Sequence, residues 1–216
     1  QPSGVIRYSL DGSDPKDTSP VYSAPILLNS TKIIRAKVFA SGYLPSQTIS
    51  NSYFVNENIH LPVFTISTDP YNLYDSLYGI YALGPNADTA FPHSGANYWQ
   101  EWERPAAIEF YDKSKNRLFK FTGDISIAGN YSQAYDQKSF EIKLGDKYGT
   151  GSIQYSFFPD KSYINSTDDI VLRNAGTDNC QMHYRDHLME KILKGTHADF
   201  IAQDPVILFL NGEFWG

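Results

Sequence analysis

Short runs in which apolar and polar residues alternate, separated by turn-forming residues, recur along this chain of 216 residues. Between Gly4 and Phe54 the strand-like runs are IRYSL, VYSAPILL, TKIIRAKVFA and TISNSYFV, and DGSDP and SGYLPS are turns. Turn signals about every ten residues are typical of a small β-sandwich. Four strands are fewer than a complete sandwich contains, so we expect a partial one.

A second block follows the linker NENIHLP and predicts further strands at LPVFTIS, AAIEFYD, RLFKFTGDISIAG, SFEIKL and DIVLRNAG. The segment between LPVFTIS and AAIEFYD has no sustained period and predicts a long surface loop with short helical turns. HYRDHLMEKILK is the one convincing helix, and its apolar stripe is expected to face the sheet. The stripe consists of Leu188, Met189, Ile192 and Leu193.

The pair Asn211-Gly212 lies between the apolar run PVILFL and EFW, which is the strongest short hairpin signal. Because the return strand has barely begun at Gly216, we expect the chain to be a fragment of a longer polypeptide.

Composition excludes several classes of protein. The formal net charge is −6 and there is no Lys/Arg run, which argues against a nucleic-acid surface and against a polybasic membrane contact. No apolar run has the length of a membrane helix. Because Gln1 leads straight into a strand-like pattern, we expect no signal peptide in this sequence. The single cysteine, Cys180, excludes an intrachain disulfide and is expected to be a partly buried free thiol.

The stretch QKSFEIKL contains a lysine at an unusual place. Phe140, Ile142 and Leu144 alternate with polar residues, as in a strand with one buried face. Lys138 falls on the same side as the three apolar residues. Its side chain is therefore either a stem that snorkels to water or an ammonium held for a ligand, and spacing alone favours snorkelling.

Residues 4–54 carry the pattern IRYSLDGSDP, then YSAPI, then IRAKVFASG. This pattern resembles the small β-sandwich found at the C-terminus of chitobiases and β-hexosaminidases. The resemblance implies an Ig-like β-sandwich domain over residues 1–55, present here only in part.

Residues 61–216 resemble the spore coat protein H (CotH) family of atypical kinases. The matching pieces include NYWQEWERPAAIEFYD, GDISIAGNYSQAYDQKSFEIKL, IVLRNAG, YRDHLMEKIL and VILFLNGEFWG. The resemblance implies a two-lobed kinase-like fold, of which this chain would supply only the N-terminal lobe. The predicted fold class is α+β, a partial sandwich followed by a mostly antiparallel sheet lobe with one main helix. The catalytic and metal-binding aspartates would lie in the second lobe, so no catalytic residue and no metal ligand are assigned here.

The CotH resemblance also gives roles to individual residues. A kinase-like N-lobe needs a loop over the phosphates and a strand lysine, and Lys138 would be that lysine, with Lys143 as the runner-up. Because the loop has one glycine, Gly129, its backbone would bind phosphate more weakly, or side chains such as Asn130, Ser132 and Gln133 would help.

Two residues beyond the loop complete the predicted site. Glu190 on the helix would pair with Lys138, as the helix acid of a kinase does. The alternative is that Glu190 pairs with Lys194 on a solvated helix face. Arg173, which ends a strand and is expected to be at least half buried, could contact a phosphate or cap a loop.

The function implied by the resemblance is ATP-dependent phosphoryl transfer to protein, using ATP and Mg²⁺, by a secreted or cell-surface bacterial parent whose signal peptide has been removed. The fragment itself is expected to be inactive and to bind no cofactor tightly. The alternative is an extracellular module that binds a glycan or a protein, for which the aromatic loop around Trp99 and Trp102 could supply a sugar platform. Partners would then be a protein substrate or a surface glycan, with no nucleic acid and no transmembrane segment.

Overall fold

A computed structural model describes residues 3–179 and 181–216. The prediction for Cys180 lies outside the described residues. Within them, no helix is long and apolar enough to cross a membrane.

The chain is built mostly from β-strands. The two α-helices are short: α1 is Pro70–Tyr74 and α2 is Arg185–Leu193. Single 3-10 turns lie at Asn97–Trp99, Tyr131–Ala134, Asp146–Tyr148, Pro159–Lys161 and Gly176–Asp178. The strands are β1 Val5–Ser9, β2 Lys32–Phe39, β3 Ile49–Tyr53, β4 Val63–Ser67, β5 Arg104–Tyr111, β6 Arg117–Ala128, β7 Ser139–Lys143, β8 Ile153–Gln154, β9 Ser166–Thr167, β10 Asp169–Leu172, β11 Ile207–Leu210 and β12 Glu213–Phe214.

The chain divides into two compact units that are not continuous in sequence. Unit 1 comprises the residues up to Gly79 together with Pro105–Phe121 and Val206–Gly216. Unit 2 comprises Ile80–Arg104 and Thr122–Pro205. Strand β6 contributes its first part to unit 1 and its last part to unit 2.

The first sheet of unit 1 is antiparallel, in the order β1-β2-β3. The predicted strand VYSAPILL is wrong, because only Val21 forms an isolated bridge, to Arg7 of β1. Tyr22 N–H donates to the carbonyl of Ile6 at 2.8 Å, and then the run leaves the sheet. The proline at position 25 has no N–H to continue a ladder, which is one physical reason why the strand ends early.

The second sheet of unit 1 places β4 between β5, which is antiparallel to it, and β11, which is parallel to it. Strands β11 and β12 form the predicted hairpin. Its turn residues Asn211 and Gly212 both have positive φ, as a two-residue type I′ turn requires. The apolar core of this sheet is a cluster of Ile59, Val63, Tyr111 and Phe209.

Glu109 of β5 joins the two sheets of unit 1. Its carboxylate is fully buried and accepts hydrogen bonds from the backbone N–H of Ser52 at 2.8 Å and from Tyr111 Oη at 3.0 Å. Arg117 forms an ion pair with the same carboxylate at 2.8 Å. Burial and this negative charge both raise the pKa of Tyr111. The small β-domain, formed by β1–β3, is therefore attached to the sheet of β4, β5 and β11 by a buried carboxylate that has hydrogen-bond partners.

Unit 2 contains the end of β6, β7 and β10, paired antiparallel in that order. Ile125 and Ile142 pair across β6 and β7, and both are fully buried. The predicted core face of SFEIKL is therefore confirmed at Phe140 and Ile142. A separate two-stranded ladder pairs β8 with β9.

Helix α2 exists, but its apolar stripe does not pack as predicted. Leu188, Met189 and Ile192 are exposed, and α2 has no buried side chain. An apolar stripe at helical spacing defines a face, but it does not determine which part of the chain covers that face. At the coarse level, a small antiparallel sheet followed by a larger sheet lobe is confirmed.

Candidate functional site

Unit 2 contains an open cleft of about 500 Å³. Most of its lining is aromatic, with one cationic side chain. The lining consists of Tyr81, Leu83, Phe91, His93, Tyr98, Ala134, Tyr135, Asp136, Lys138 and Asn179.

The cationic side chain is Lys138, which directly precedes β7 and is 5% exposed. Its inward direction, predicted from the alternation of SFEIKL, is confirmed. The ammonium does not snorkel to bulk water: Nζ donates to the carbonyl of Gln133 at 2.6 Å and to that of Tyr135 at 2.9 Å. It also lies 3.9 Å from the ring centroid of Tyr98 and 5.0 Å from that of Tyr81.

The charge of Lys138 is not neutralised by an acidic side chain. Among the described residues, none forms an ion pair with it. Burial lowers the pKa of Lys138 to about 8, and the charge of Asp136 acts in the opposite direction. The lysine is thus a desolvated cation beside an open cleft, which is a common arrangement in ligand sites.

The aromatic walls are fixed by their own contacts. Tyr98 Oη donates to the carbonyl of Pro92 at 3.0 Å, and Trp99 Nε1 donates to the same carbonyl at 3.1 Å. The rings of Phe91 and Tyr135 are nearly parallel, with an interplanar angle of 8° and centroids 6.5 Å apart. Flat apolar walls next to one cation suit a ligand that has a planar part and an anionic part.

A buried asparagine holds the backbone on both sides of Lys138. Asn174 Nδ2 donates to the carbonyl of Gln137 at 2.6 Å, and Asn174 Oδ1 accepts from Ser139 Oγ at 3.0 Å. Asn179, which lines the cleft, donates to the carbonyl of Asn174 at 2.9 Å. Sequence reasoning missed this network, and its only sequence signal is an asparagine two residues after the end of β10, in LRNAG.

The segment between β6 and β7 begins at Gly129, which has a φ of +113°. A Cβ at this position would lie 2.6 Å from Ser132 Oγ, so the turn requires glycine. Asn130 is exposed and Ser132 is half-buried, and neither belongs to the described lining of the cleft. Their phosphate-binding role stays a prediction.

Glu190 and Arg173 lie outside the described lining of the cleft as well. Glu190 Oε2 accepts the backbone N–H of Ile201 at 3.1 Å. Lys194, its alternative partner, contacts Asp160. Arg173 is exposed rather than half buried and pairs with Asp186 at 3.0 Å. The prediction of burial was wrong because it rested on the parity of Arg173 with Val171, and Val171 is itself exposed. The structure does not bring either residue to Lys138, and their nucleotide role stays a prediction.

The described residues contain no group of three or more His, Cys, Asp or Glu side chains that could hold a metal ion. The described lining of the cleft includes one acid, Asp136, whereas Mg²⁺ prefers several oxygen ligands in near-octahedral geometry.

Comparison with protein families finds a match for two segments of the chain. Residues 125–216 match the family model described as CotH kinase protein. The CotH resemblance is confirmed. Residues 1–53 match the model described as Fn3 associated, so the predicted order of a small β-domain followed by a CotH segment is confirmed as well. All five predicted site residues fall within the CotH segment. No curated protein matches the chain, and no solved structure matches it.

Proposed function

We propose that this chain carries the nucleotide-binding part of a CotH-like atypical protein kinase, whose full-length form transfers phosphate from ATP to a protein. The observation that carries the proposal is the Lys138 ammonium, which is buried at a cleft and has no carboxylate partner among the described residues. A compact ammonium is suited to contact phosphate oxygens as a point charge.

The neighbouring elements support this assignment. The chain runs from β6 through a turn that needs glycine at position 129 to Lys138, which directly precedes β7. A kinase-like N-lobe has the same order of strand, loop and strand lysine. The aromatic walls offer Phe91 and Tyr135 to the planar base of a nucleotide. Stacking of a base on an aromatic side chain contributes about 1–3 kcal/mol.

The chain's own residues would bind and orient the nucleotide. Lys138 would hold the phosphates, the aromatic walls would exclude water from the base, and Asn174 would keep the lysine backbone in place. The CotH family match implies ATP and a metal ion in the full-length protein. Because the described residues offer no metal site, we expect this chain to bind ATP weakly and to transfer no phosphate. An extracellular setting is part of the proposal.

The test is ATP binding by isothermal titration calorimetry at pH 7.5, with Lys138→Gln compared with the unsubstituted chain. Lys143→Gln is the matched control, because Lys143 lies on the other face of the same strand and pairs with Glu103 at 3.0 Å. We expect Lys138→Gln to weaken ATP binding at least tenfold and Lys143→Gln to change it less than twofold. Equal affinities for all three proteins, or no ATP binding by any, would overturn the proposal.

A second candidate is a module that binds glycan or protein. It is favoured by exposed apolar side chains on the small β-domain, such as Leu44, which is 93% exposed, and Tyr43. Titration with chitin oligosaccharides tests the glycan form, and binding that Tyr43→Ala abolishes but Lys138→Gln leaves intact would favour it over the nucleotide site.

A further inference from the structure

We propose that the rings of Tyr98 and Tyr81 position the Lys138 ammonium in the cleft, in place of a carboxylate partner. The identity of the anionic ligand rests on the proposed function, whereas the way the ammonium is held is tested below without any nucleotide.

The surroundings of Nζ account for its hydrogen-bonding capacity. An ammonium has three N–H donors. Two are used by the carbonyls of Gln133 and Tyr135, and the remaining side of Nζ meets the ring of Tyr98 at 3.9 Å from the centroid. The face of an aromatic ring carries partial negative charge and attracts a cation within about 6 Å. The ring therefore takes the place that a carboxylate oxygen occupies in an ion pair.

Both rings are anchored, so they can hold the ammonium at one place. Tyr98 is 3% exposed, and its hydroxyl donates to Pro92. Tyr81 Oη accepts the backbone N–H of Lys138 at 2.9 Å and donates to the carbonyl of Asp136. Tyr81 thus contacts both the backbone and, through its ring, the side chain of the same lysine.

Holding a cation with neutral groups has an electrostatic consequence. An ion pair of lysine and glutamate has no net charge. A lysine held by aromatic rings and carbonyls has no counter-charge, so its unit positive charge remains available to attract an incoming anion. The titratable groups that face the cleft with Lys138 are Asp136, His93 and the phenols of the tyrosines. Of these, Asp136 is the charge that raises the pKa of the lysine, and it is exposed.

The measurement is an NMR pH titration of the Lys138 ¹³Cε signal. The sample is the chain of residues 1–216, labelled with ¹³C-lysine and free of nucleotide. The signal is assigned by its loss in Lys138→Gln. Tyr98→Leu removes the ring and Tyr98→Phe keeps it, so the two form a matched pair. A lost cation–π contact corresponds to a midpoint lower by about one pH unit in Tyr98→Leu, and Tyr98→Phe should stay within about 0.3 unit of the unsubstituted chain.

Glu190→Gln provides the opposing test. If the rings hold the ammonium, Glu190→Gln leaves the Lys138 midpoint unchanged. A lower midpoint in Glu190→Gln would overturn the proposal in favour of a carboxylate partner. Equal midpoints in Tyr98→Leu and Tyr98→Phe would overturn it too.

If Tyr98→Leu does not fold, as judged by circular dichroism, the comparison of Tyr81→Leu with Tyr81→Phe decides in the same way. ATP titration of the same proteins separates this inference from the proposed function. A shifted midpoint together with no ATP binding in any protein supports the aromatic contact and rejects the nucleotide function.

Discussion

Glu109 of unit 1 and Lys138 of unit 2 are both buried charged side chains, and they are held in opposite ways. In unit 1, Glu109 is fully buried, pairs with Arg117 and accepts hydrogen bonds from Ser52 and Tyr111. In unit 2, Lys138 is 5% exposed and is held by carbonyls and ring faces. Both charged groups are shielded from bulk water, but only the Glu109 carboxylate is neutralised by an ion pair, with Arg117.

The difference separates a structural charge from one that is available for binding. A buried charge that is paired and hydrogen-bonded has no capacity left for a ligand, and its removal destabilises the fold. A buried charge that keeps its net charge beside an open cleft is costly to the fold and useful to an anionic ligand. The comparison makes predictions for both residues and for the network that supports the lysine.

The largest effect is expected for Glu109→Ala. The change leaves the Ser52 N–H and the Tyr111 hydroxyl without their acceptor, so the free energy of unfolding should fall by about 3 kcal/mol. Urea denaturation followed by fluorescence measures it. Glu103→Ala is the control, since Glu103 is exposed and its pair with Lys143 should contribute less than about 1 kcal/mol. Similar losses in the two variants would remove the distinction drawn for Glu109.

For Asn174→Ala we expect a smaller loss of stability, together with weaker ATP binding. The Ser139 hydroxyl loses its acceptor Asn174 Oδ1 and the carbonyl of Gln137 loses the hydrogen bond from Asn174 Nδ2, so the free energy of unfolding should fall by about 2 kcal/mol. ATP binding should weaken as well, because the backbone on both sides of Lys138 is released. Asn165→Ala is an exposed control that should stay within about 0.5 kcal/mol. Unchanged ATP binding in a destabilised Asn174→Ala protein would restrict Asn174 to a structural role.

The smallest effect is a dependence of stability on pH. The pKa of Lys138 is lowered to about 8 in the folded chain, so between about pH 8 and 10.5 the unfolded chain holds more protons. The free energy of unfolding should therefore rise with pH across this window, relative to Lys138→Met, and the difference should be constant below pH 8. We expect a rise of about 1 kcal/mol, because the cleft admits solvent that screens the charge. Chemical denaturation at a series of pH values measures it, and a fall would show that Lys138 gains a carboxylate partner in solution.

Some of this arrangement could be predicted from local patterns. The period of two in SFEIKL predicted that Lys138 faces inward, and Asn-Gly predicted the hairpin of β11 and β12, because both depend on neighbouring residues only. The CotH resemblance added the family but not the surroundings of the lysine.

The partners of Lys138 could not be predicted in the same way. Tyr81 and Tyr98 come from a segment with no sustained period, and its path is set by contacts distant in sequence, so no local signal places these rings next to β7. The choice of Glu190 followed from kinase helices in general, whereas here its carboxylate accepts a backbone N–H from Ile201. The prediction of a strand at VYSAPILL was wrong for a simpler reason. It relied on the apolar residues of the run and gave too little weight to its proline, which cannot donate a hydrogen bond to a neighbouring strand.

The interrupted course of unit 1 has a consequence for how the protein is made. Residues of the small β-domain leave the ribosome before Glu109, the carboxylate that receives the Ser52 N–H, which is more than fifty residues further along the chain. Val206–Gly216 are translated later still. At Gly212 a Cβ would lie 2.8 Å from the backbone nitrogen of Ile33, so the turn between β11 and β12 lies directly against β2, which is translated much earlier. The contacts of unit 1 therefore cannot all form while the small β-domain is being synthesised. They become possible only when Val206–Gly216 has been translated.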